Sequence, residues 1–587
     1  MTAFPPMSSR LADADPDRSR LSALNRRALL AGAAWCVPLV LFLSLTLPQL
    51  MLPGLHYDEA SEAGVNAMQI VRGLPVDAFR GAALSSGGWS LPLMVQDYVG
   101  ALNVYLAIPF LVLGGANNVV ALRLLPVLTS AVTLLLTYAL ARRLGGRPAA
   151  FTAALLLAVS PTFVFWSRQG IFVTNITALL AVAAVLLARR LARAGGRRTA
   201  FGLGIVCGLG LWAKLLFLWI IGAGIGVAFV GWIARRLLAR PSSAVSERIA
   251  RPFWADASSV VALLGGAVLG VFPLLLFNWQ TGGTLATIAT NLDRSYYGVN
   301  NADFWANLLR RVSQLYALFN GEHLWYLGDV VRNPWAPLLA GLSVIAAFLF
   351  ASVRAGRRRA SSALSARPAS GSDLGKLTGA LLFLALYIIQ SSFTVSDLFI
   401  THFAAALPFF FLAVGLAVGI SLRQGGRSGV VVAVVVVALW ATTDLASDLR
   451  YHQVLARTGG LGTHSDAIYQ LAGHLIKHRE RPVVALDWGM EAPVRFLTLD
   501  AVIPIELFGY ERLDAPDPDF PARVIPYLQR PDTLYLFRVP QDTVFQERRD
   551  AIKQVAASLG LRMQKDKTLR GKDGRSTFLV YRAVPQE

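Results

Sequence analysis

The stretch His56–Gly73, HYDEASEAGVNAMQIVRG, follows directly after the first long apolar run of the chain. Its carboxylates Asp58, Glu59 and Glu62 stand at the mouth of a segment long enough to span a bilayer, where ionisable groups are rare and usually functional. A helix that begins near Asp58 would place Asp58 and Glu62 one turn apart on one face. Acidic residues in a first helical turn also suit the positive end of the helix dipole without any further role. The stretch therefore predicts either an acidic site at a membrane surface or ordinary helix-start chemistry.

The composition indicates a polytopic membrane protein. Of the 587 residues, 55% are hydrophobic and only 15% are charged, which is very unusual for a soluble protein of this length. The net charge of +20 is carried by short basic clusters between apolar runs, a pattern typical of cytoplasmic loops rather than of a nucleic-acid-binding surface. Cys36 and Cys207 both lie in apolar runs. Neither a disulfide framework nor a thiolate metal site is therefore expected.

Ten apolar runs are long enough to cross a membrane. They are Ala28–Leu50, Val119–Ala141, Ala149–Trp166, Ile171–Ala188, Phe201–Ile233, Val260–Phe277, Pro337–Val353, Leu377–Phe393, Phe399–Leu422 and Gly429–Thr443. As a single helix, Phe201–Ile233 would be about 50 Å long, against a hydrocarbon core of about 30 Å. We expect this run to split near Lys214, which gives eleven spans.

Charge decides the orientation of the chain and the place of the shorter segment Tyr98–Leu113. If this segment crossed the membrane, the basic cluster at Arg142, Arg143 and Arg147 would lie outside. If it stays at the surface as a juxtamembrane or re-entrant helix, this cluster and every later one lie inside. We therefore predict a cytoplasmic N-terminus and a multi-pass protein of the plasma (inner) membrane.

Three parts follow from this topology. Residues 1–27 are expected to form a cytoplasmic tail, and residues 28–446 a transmembrane domain with external loops at about 51–118 and 280–334. After residue 446 charged residues become frequent, and PVVALDW, DTLYLFRVP and STFLVYRAV alternate with amphipathic helical patterns. Residues 447–587 therefore predict an external soluble α/β domain. Within it, we expect His464, His474 and His478 to face solvent, because no carboxylate completes a zinc motif around them.

In this topology the acidic cluster, the turn WSRQG at Trp166–Gly170, Lys214 and the region from Asp397 to His402 all lie on the external side. The long external loop is also rich in aromatic residues, among them Trp305, Trp325 and Tyr326. These residues suit an aromatic belt at the membrane interface, and the alternative is a surface on which a sugar stacks.

The order of several motifs resembles the GT-C superfamily of membrane glycosyltransferases. The motifs are the external DE helix, NNVVALRLLPVLTSAVTLLLTYALARRLGG, the SRQG turn, GLGLWAKLLF, RNPWAPLL and THFAAALPFF. Within that superfamily the chain looks like the protein O-mannosyltransferase and aminoarabinose transferase group, glycosyltransferase family 39-like. The resemblance covers roughly the first 445 residues. SLPL and ALNVY stand where mannosyltransferases usually have His-Pro-Pro-Leu, so the acceptor is left open.

The resemblance implies transfer of a hexose or pentose from a polyprenyl-phosphate carrier to a protein, lipid or glycan acceptor outside the cytoplasm. It maps the family's acidic residues onto Asp58, at the position regarded as catalytic, and Glu59, with Glu62 supporting them. A lipid-phosphate donor carries its own leaving group, so the enzyme must deprotonate the acceptor and stabilise phosphate charge. Asp58 is the expected base in an inverting displacement. Arg168, supported by Lys214 or His402, is the candidate for the phosphate side.

Arg123 is expected to be structural or loop-positioning and to tie the surface helix to its span. No cofactor is established, and a divalent ion near Asp58 is left open because the adjacent carboxylates lack a second ligand set. The alternative from another class is a polytopic transporter or lipid flippase, suggested by the spans and by isolated charges such as Lys214 and Asp397. A third alternative is a non-catalytic scaffold that exposes its tail.

Overall fold

A computed structural model of the chain describes residues 35–170, 174–238, 256–290, 303–361, 371–393 and 399–586. The predicted tail at residues 1–27 and the isolated charge Asp397 lie outside these residues. The described part is mostly helical and ends in a domain built on a β-sheet.

The described part begins with α1 (Cys36–Thr46), and a loop after it leads into a helix of three consecutive segments. These segments are Tyr57–Glu59, the π-helical turn Ala60–Gly64 and Val65–Arg72, together called α2. Two antiparallel hairpins follow, β1 (Ala83–Ser86) with β2 (Trp89–Pro92) and β3 (Met94–Gln96) with β4 (Val99–Gly100). The predicted surface segment then forms α3 (Leu102–Gly114), which packs on α2.

Within the described ranges, the helical domain continues with a series of further α-helices. They are α4 (Val119–Ala158), α5 (Pro161–Trp166), α6 (Thr174–Ala194), α7 (Arg197–Ala213), α8 (Leu218–Leu238), α9 (Ala257–Thr281), α10 (Gly283–Thr290), α11 (Phe304–Asn320), α12 (Trp335–Ser361), α13 (Gly371–Ser391), α14 (Leu407–Gln424) and α15 (Gly426–Thr458). The long helix α4 breaks at Gly146, whose φ of 80° suits a residue without a side chain. It therefore accounts for two of the predicted apolar runs.

Eight of the described helices are long and apolar enough to cross a membrane, and α1 and α3 are shorter apolar helices. The split near Lys214 is confirmed, because α7 ends at Ala213 and α8 begins at Leu218. The count of eleven spans and the position of α3 relative to the membrane stay predictions. The segment Ile400–Gln424, which ends in α14, is the centre of the bundle. In its apolar 18-residue stretch 94% of the residues are buried, compared with 22% in the corresponding stretches of α8 and α9.

The C-terminal part has the predicted α/β character. The predicted strands form β5 (Val483–Ala485), β7 (Leu534–Arg538) and β9 (Ser576–Pro585). They are the central strands of a five-stranded sheet whose edge strands are β6 (Ile505–Glu506) and β8 (Leu561–Arg570), in the order β6-β5-β7-β9-β8. β5 runs parallel to its neighbours, whereas β9 is antiparallel to β7 and β8. The other elements are α16 (Ala467–Leu475), α17 (Glu491–Thr498), α18 (Phe520–Leu528) and α19 (Arg548–Ser558).

This α/β part packs directly on the loop that carries the acidic cluster. The helix α15 runs through the predicted boundary at residue 447 and ends at Thr458, so the two parts are joined by a continuous helix. Gln69 of α2 donates to Asp500 at 2.7 Å, and Arg495 of α17 pairs with Asp77 at 2.9 Å. The backbone N–H of Gly54 donates to the carbonyl of His464 at 2.8 Å. The acidic loop is therefore enclosed between the helical bundle and the C-terminal sheet.

Candidate active site

The site is organised by the first turn of α2. The ring nitrogen Nδ1 of His56 accepts a hydrogen bond from the backbone N–H of Asp58 at 3.2 Å, and the Glu59 carboxylate accepts one from the backbone N–H of His56 at 3.1 Å. This reciprocal arrangement is a capping box. Burial lowers the pKa of His56 to about 3, so the ring is neutral and Nδ1 can act as an acceptor. Helix-start chemistry therefore accounts for part of the role of Glu59.

A small cleft opens beside this turn, with about 20 Å³ of space for the centre of a water-sized sphere. The π-helical turn Ala60–Gly64 begins two residues after Asp58, and such turns are frequent at functional sites. The cleft is lined by Asp58, Glu59, Glu62, Ala63, Asn103, Leu122, Leu125, Pro126, Thr129, Gln169, Gly170, Asn175 and Ile176. The expected common face of Asp58 and Glu62 is thus found, and the face is turned toward a concave surface.

Asp58 is a buried carboxyl group within this cleft. Its side chain is almost inaccessible, and the whole residue is 4% exposed. Burial raises the pKa of Asp58, the charge of Lys214 opposes that rise, and the charge of Glu59 adds to it. Because a carboxylate with a raised pKa is a stronger base, this environment suits proton abstraction near neutral pH.

Glu59 is engaged by Arg123, and both side chains are buried. Arg123 donates to Glu59 at 2.7 and 2.8 Å and to the backbone carbonyls of Leu50, Pro53 and Gly54 at 2.8 to 3.2 Å, so all five of its N–H donors are used. These are the contacts of a loop-positioning residue. Through these contacts Arg123 ties the loop after α1 to α4 and α2. The sequence had predicted instead that Arg123 ties the surface helix, α3, to its span.

Lys214 is brought to the site by the second hairpin. Its backbone is extended between α7 and α8 and forms an antiparallel bridge with Val99. Gly100 permits this close approach, since a Cβ there would collide with the carbonyl oxygen of Trp212. Lys214 is 3% exposed, and its charge acts on both Asp58 and Glu62. A buried ammonium group therefore faces the acidic cluster.

Arg168 and His402 have other surroundings. Arg168 is fully buried, does not line the cleft, and donates to the carbonyls of Gln49 at 2.6 Å and Leu52 at 3.2 Å. These contacts hold the loop after α1, and they give no support to the prediction that Arg168 binds a phosphate. His402 is buried in the turn before α14, where Nδ1 lies 3.0 Å from the carbonyl oxygen of Phe399. Its predicted role in donor binding stays a prediction.

Two polar residues at the site, Gln169 and Asn175, were not singled out from the sequence. Gln169 donates to Glu59 at 3.2 Å, and Asn175 donates to the hydroxyl of Ser130 at 2.8 Å. Both line the cleft. Asn175 is a polar residue inside a predicted apolar run, and such a residue is a sequence signal for a functional site.

The expectation that His464 faces solvent is wrong: its ring is buried between His56 and Tyr326, with centroid distances of 4.2 and 4.1 Å. Only the docking of the C-terminal part places it there.

Across the described ranges, no three His, Cys, Asp or Glu side chains are arranged so that they could hold a metal ion. The carboxylates of Asp58, Glu59 and Glu62 share one cleft, but Glu59 is bound to Arg123. A divalent ion near Asp58 therefore stays an open expectation.

These features define an integral membrane protein whose helical part contains a cleft lined by buried carboxylates, with the buried side chain of Lys214 nearby. The family described as dolichyl-phosphate-mannose-protein mannosyltransferase matches residues 102–246, about a quarter of the chain. No curated protein matches the sequence.

Among solved structures, the chain is similar to ArnT from Cupriavidus metallidurans in the apo state, with 13% identity, a TM-score of 0.52, and coverage of 95% of this chain and 98% of that one. ArnT bound to undecaprenyl phosphate gives 12% identity, a TM-score of 0.50, and coverage of 94% and 97%. The resemblance inferred from the motifs is thereby confirmed: the chain is similar to the GT-C membrane glycosyltransferases and has their fold.

Proposed function

We propose that this protein transfers a sugar from a polyprenyl-phosphate-linked donor to an acceptor on the extracytoplasmic side of the plasma membrane. The observation that carries the proposal is the cleft in which buried Asp58 lies beside Glu62 under the charge of Lys214. Support comes from the shared fold with ArnT, one structure of which is described as bound to undecaprenyl phosphate, and from the mannosyltransferase family match. The sugar is a hexose or a pentose, and the acceptor is a protein, lipid or glycan.

In this mechanism Asp58 is the general base. It takes the proton from the acceptor nucleophile, which forms a bond to the anomeric carbon while the bond from that carbon to the phosphate oxygen breaks. The electron pair of the broken bond stays on the leaving polyprenyl phosphate. A direct displacement of this kind inverts the anomeric configuration, because the base and the leaving group lie on opposite faces of the sugar.

Lys214 stabilises the leaving phosphate. A buried ammonium is a compact charge in a site of low dielectric, where its attraction to developing negative charge is stronger than in water. Before the donor binds, the acidic cluster compensates this charge, since Glu62 and Asp58 both act on Lys214. Glu59 and Arg123 hold the catalytic turn in place rather than act on the substrate.

Substitution of Asp58 by Asn tests the proposal. The variant keeps the size of the side chain and removes the base, so we expect transfer of radiolabelled sugar from polyprenyl-phosphate donors to membrane acceptors to fall about 10²- to 10⁴-fold. Asp77→Asn is a matched control, because Asp77 belongs to the same loop, pairs with Arg495 and does not line the cleft.

Elution of Asp58→Asn from a gel-filtration column as a monodisperse protein would show that it is folded. Full activity of this variant would contradict the assignment of the base. Solute flux through proteoliposomes without any covalent sugar product would instead favour the transporter or flippase alternative.

A further inference from the structure

Two side chains at the cleft present acceptor atoms that the protein itself leaves unused. Among the described residues, neither Oε1 of Gln169 nor Oδ1 of Asn175 has a hydrogen-bond partner. Gln169 is 3% and Asn175 is 9% exposed, so both amides are at least nine-tenths buried. Buried polar atoms without partners cost free energy, and such atoms at a ligand cleft point to groups that a ligand supplies.

The orientation of each amide is set by a neighbouring carboxylate or carbonyl oxygen. The amide nitrogen of Gln169 lies 3.2 Å from a carboxylate oxygen of Glu59 and 3.3 Å from Nδ1 of His464. The amide nitrogen of Asn175 lies 3.4 Å from the carbonyl oxygen of Trp166 and 2.8 Å from the hydroxyl of Ser130. A flipped amide would place oxygen against the Glu59 carboxylate in Gln169 and against the carbonyl oxygen of Trp166 in Asn175, whereas the hydroxyl of Ser130 can donate or accept in either orientation. In both residues the oxygen is therefore the atom left for another partner.

The two residues reach the cleft from adjoining segments. Gln169 belongs to the turn after α5, and Asn175 is the second residue of α6. Both line the same cleft as Asp58, together with Leu125 and Pro126 of α4. Two neutral acceptors beside the proposed base form a subsite for hydrogen-bond donors.

We propose that Gln169 and Asn175 recognise hydroxyl groups of the substrate, in the first place those of the sugar on the lipid carrier. This inference rests on the proposed function and names two specificity-determining residues for it. Sugar hydroxyls are donors with the required chemistry, and a site built to bind a hydroxyl discriminates strongly against a ligand that lacks it. A cation is the competing ligand for amide oxygens, although no three His, Cys, Asp or Glu side chains in the described parts of the chain are arranged to hold one.

The test compares three lipids: undecaprenyl phosphate alone, and the same lipid carrying mannose or arabinose. Asn175→Leu removes the acceptor oxygen with little change in volume, and Ser130→Ala is the matched control because it removes only the contact of the amide nitrogen. We expect Asn175→Leu to weaken binding of at least one sugar-bearing lipid about tenfold and to leave binding of the bare lipid unchanged. Ser130→Ala should leave all three affinities unchanged, and Gln169→Met provides a second variant with the same expectation as Asn175→Leu.

The remaining outcomes separate the sources of the hydroxyl groups. Unchanged lipid binding with slower transfer to membrane acceptors in Asn175→Leu would assign the subsite to acceptor hydroxyls. Unchanged lipid binding and unchanged transfer in Asn175→Leu would overturn the inference, and so would an equal loss of affinity in Ser130→Ala. If EDTA abolished the extra affinity of the wild type for sugar-bearing lipids, a cation would be the ligand and the inference would also be overturned. Retained transfer by Asp58→Asn would refute the proposed base while leaving the binding results for Asn175 to be judged separately.

Discussion

The pairing of Glu59 with Arg123 gives the sharpest prediction, because it distinguishes a structural carboxylate from a catalytic one. Glu59→Gln keeps the shape of the side chain and leaves the guanidinium of Arg123 buried without a counter-charge. Breaking a buried ion pair by removing one partner costs about 3–5 kcal/mol. Arg123→Gln should cost more than Glu59→Gln, because Arg123 also satisfies three backbone carbonyls of the loop after α1.

The assay is denaturant unfolding of the detergent-solubilised protein, followed by tryptophan fluorescence and combined with the sugar-transfer assay. We expect the double variant Glu59→Gln/Arg123→Gln to lose less stability than the sum of the two single variants, because it leaves no unpaired buried charge. Asp58→Asn is the comparison, with transfer lost and the unfolding midpoint close to that of the wild type. A Glu59→Gln protein that unfolds like the wild type but transfers no sugar would refute this reasoning and return Glu59 to the catalytic group.

Three further predictions follow from the site. Because burial raises the pKa of Asp58 to about 7 and the base must be ionised, kcat/KM should fall about tenfold per pH unit below that value, and a profile flat down to pH 5 would contradict this. Lys214→Gln should lower kcat and weaken binding of undecaprenyl phosphate by about tenfold or more, measured by titration with the lipid, whereas unchanged affinity and rate would exclude a phosphate role. Gly100→Ala should lower the apparent Tm and the transfer rate, because the added methyl group collides with Trp212 and displaces the hairpin that holds Lys214. The control is Gly202→Ala in α7, where a Cβ meets no atom, and it should change neither the Tm nor the rate.

Much of the helical architecture could be predicted from the sequence, because hydrophobic length and charge asymmetry are local properties. The break at Lys214 followed from the length of one apolar run, and the three central strands followed from short apolar stretches bounded by turn residues. The edge strand β8 was not predicted. Its sequence LRMQKDKTLR is largely polar and exposed, so its strand structure comes from pairing with β9 rather than from its own pattern.

The location of the site could be predicted better than the roles of the residues that form it. Asp58 and Glu62 share the cleft because their spacing on one helix places them on one face, which the sequence contains. The separation of roles between Asp58 and Glu59 depends on Arg123, which lies 64 residues away from Glu59 in the chain. No spacing rule could have shown which of two adjacent carboxylates the guanidinium would bind.

The sequence by itself determined that this is a multi-helix membrane protein with an acidic turn after its first apolar segment and an α/β part at its end. Tertiary structure alone decided that Arg168 supports a loop, that His464 is buried against His56, and that Gln169 and Asn175 bring unused oxygen atoms to the cleft. The physical reason is the range of the interactions. Hydropathy and helix periodicity act between near neighbours, whereas burial, ion pairing and amide orientation depend on segments that meet only when the bundle and the sheet domain have packed together.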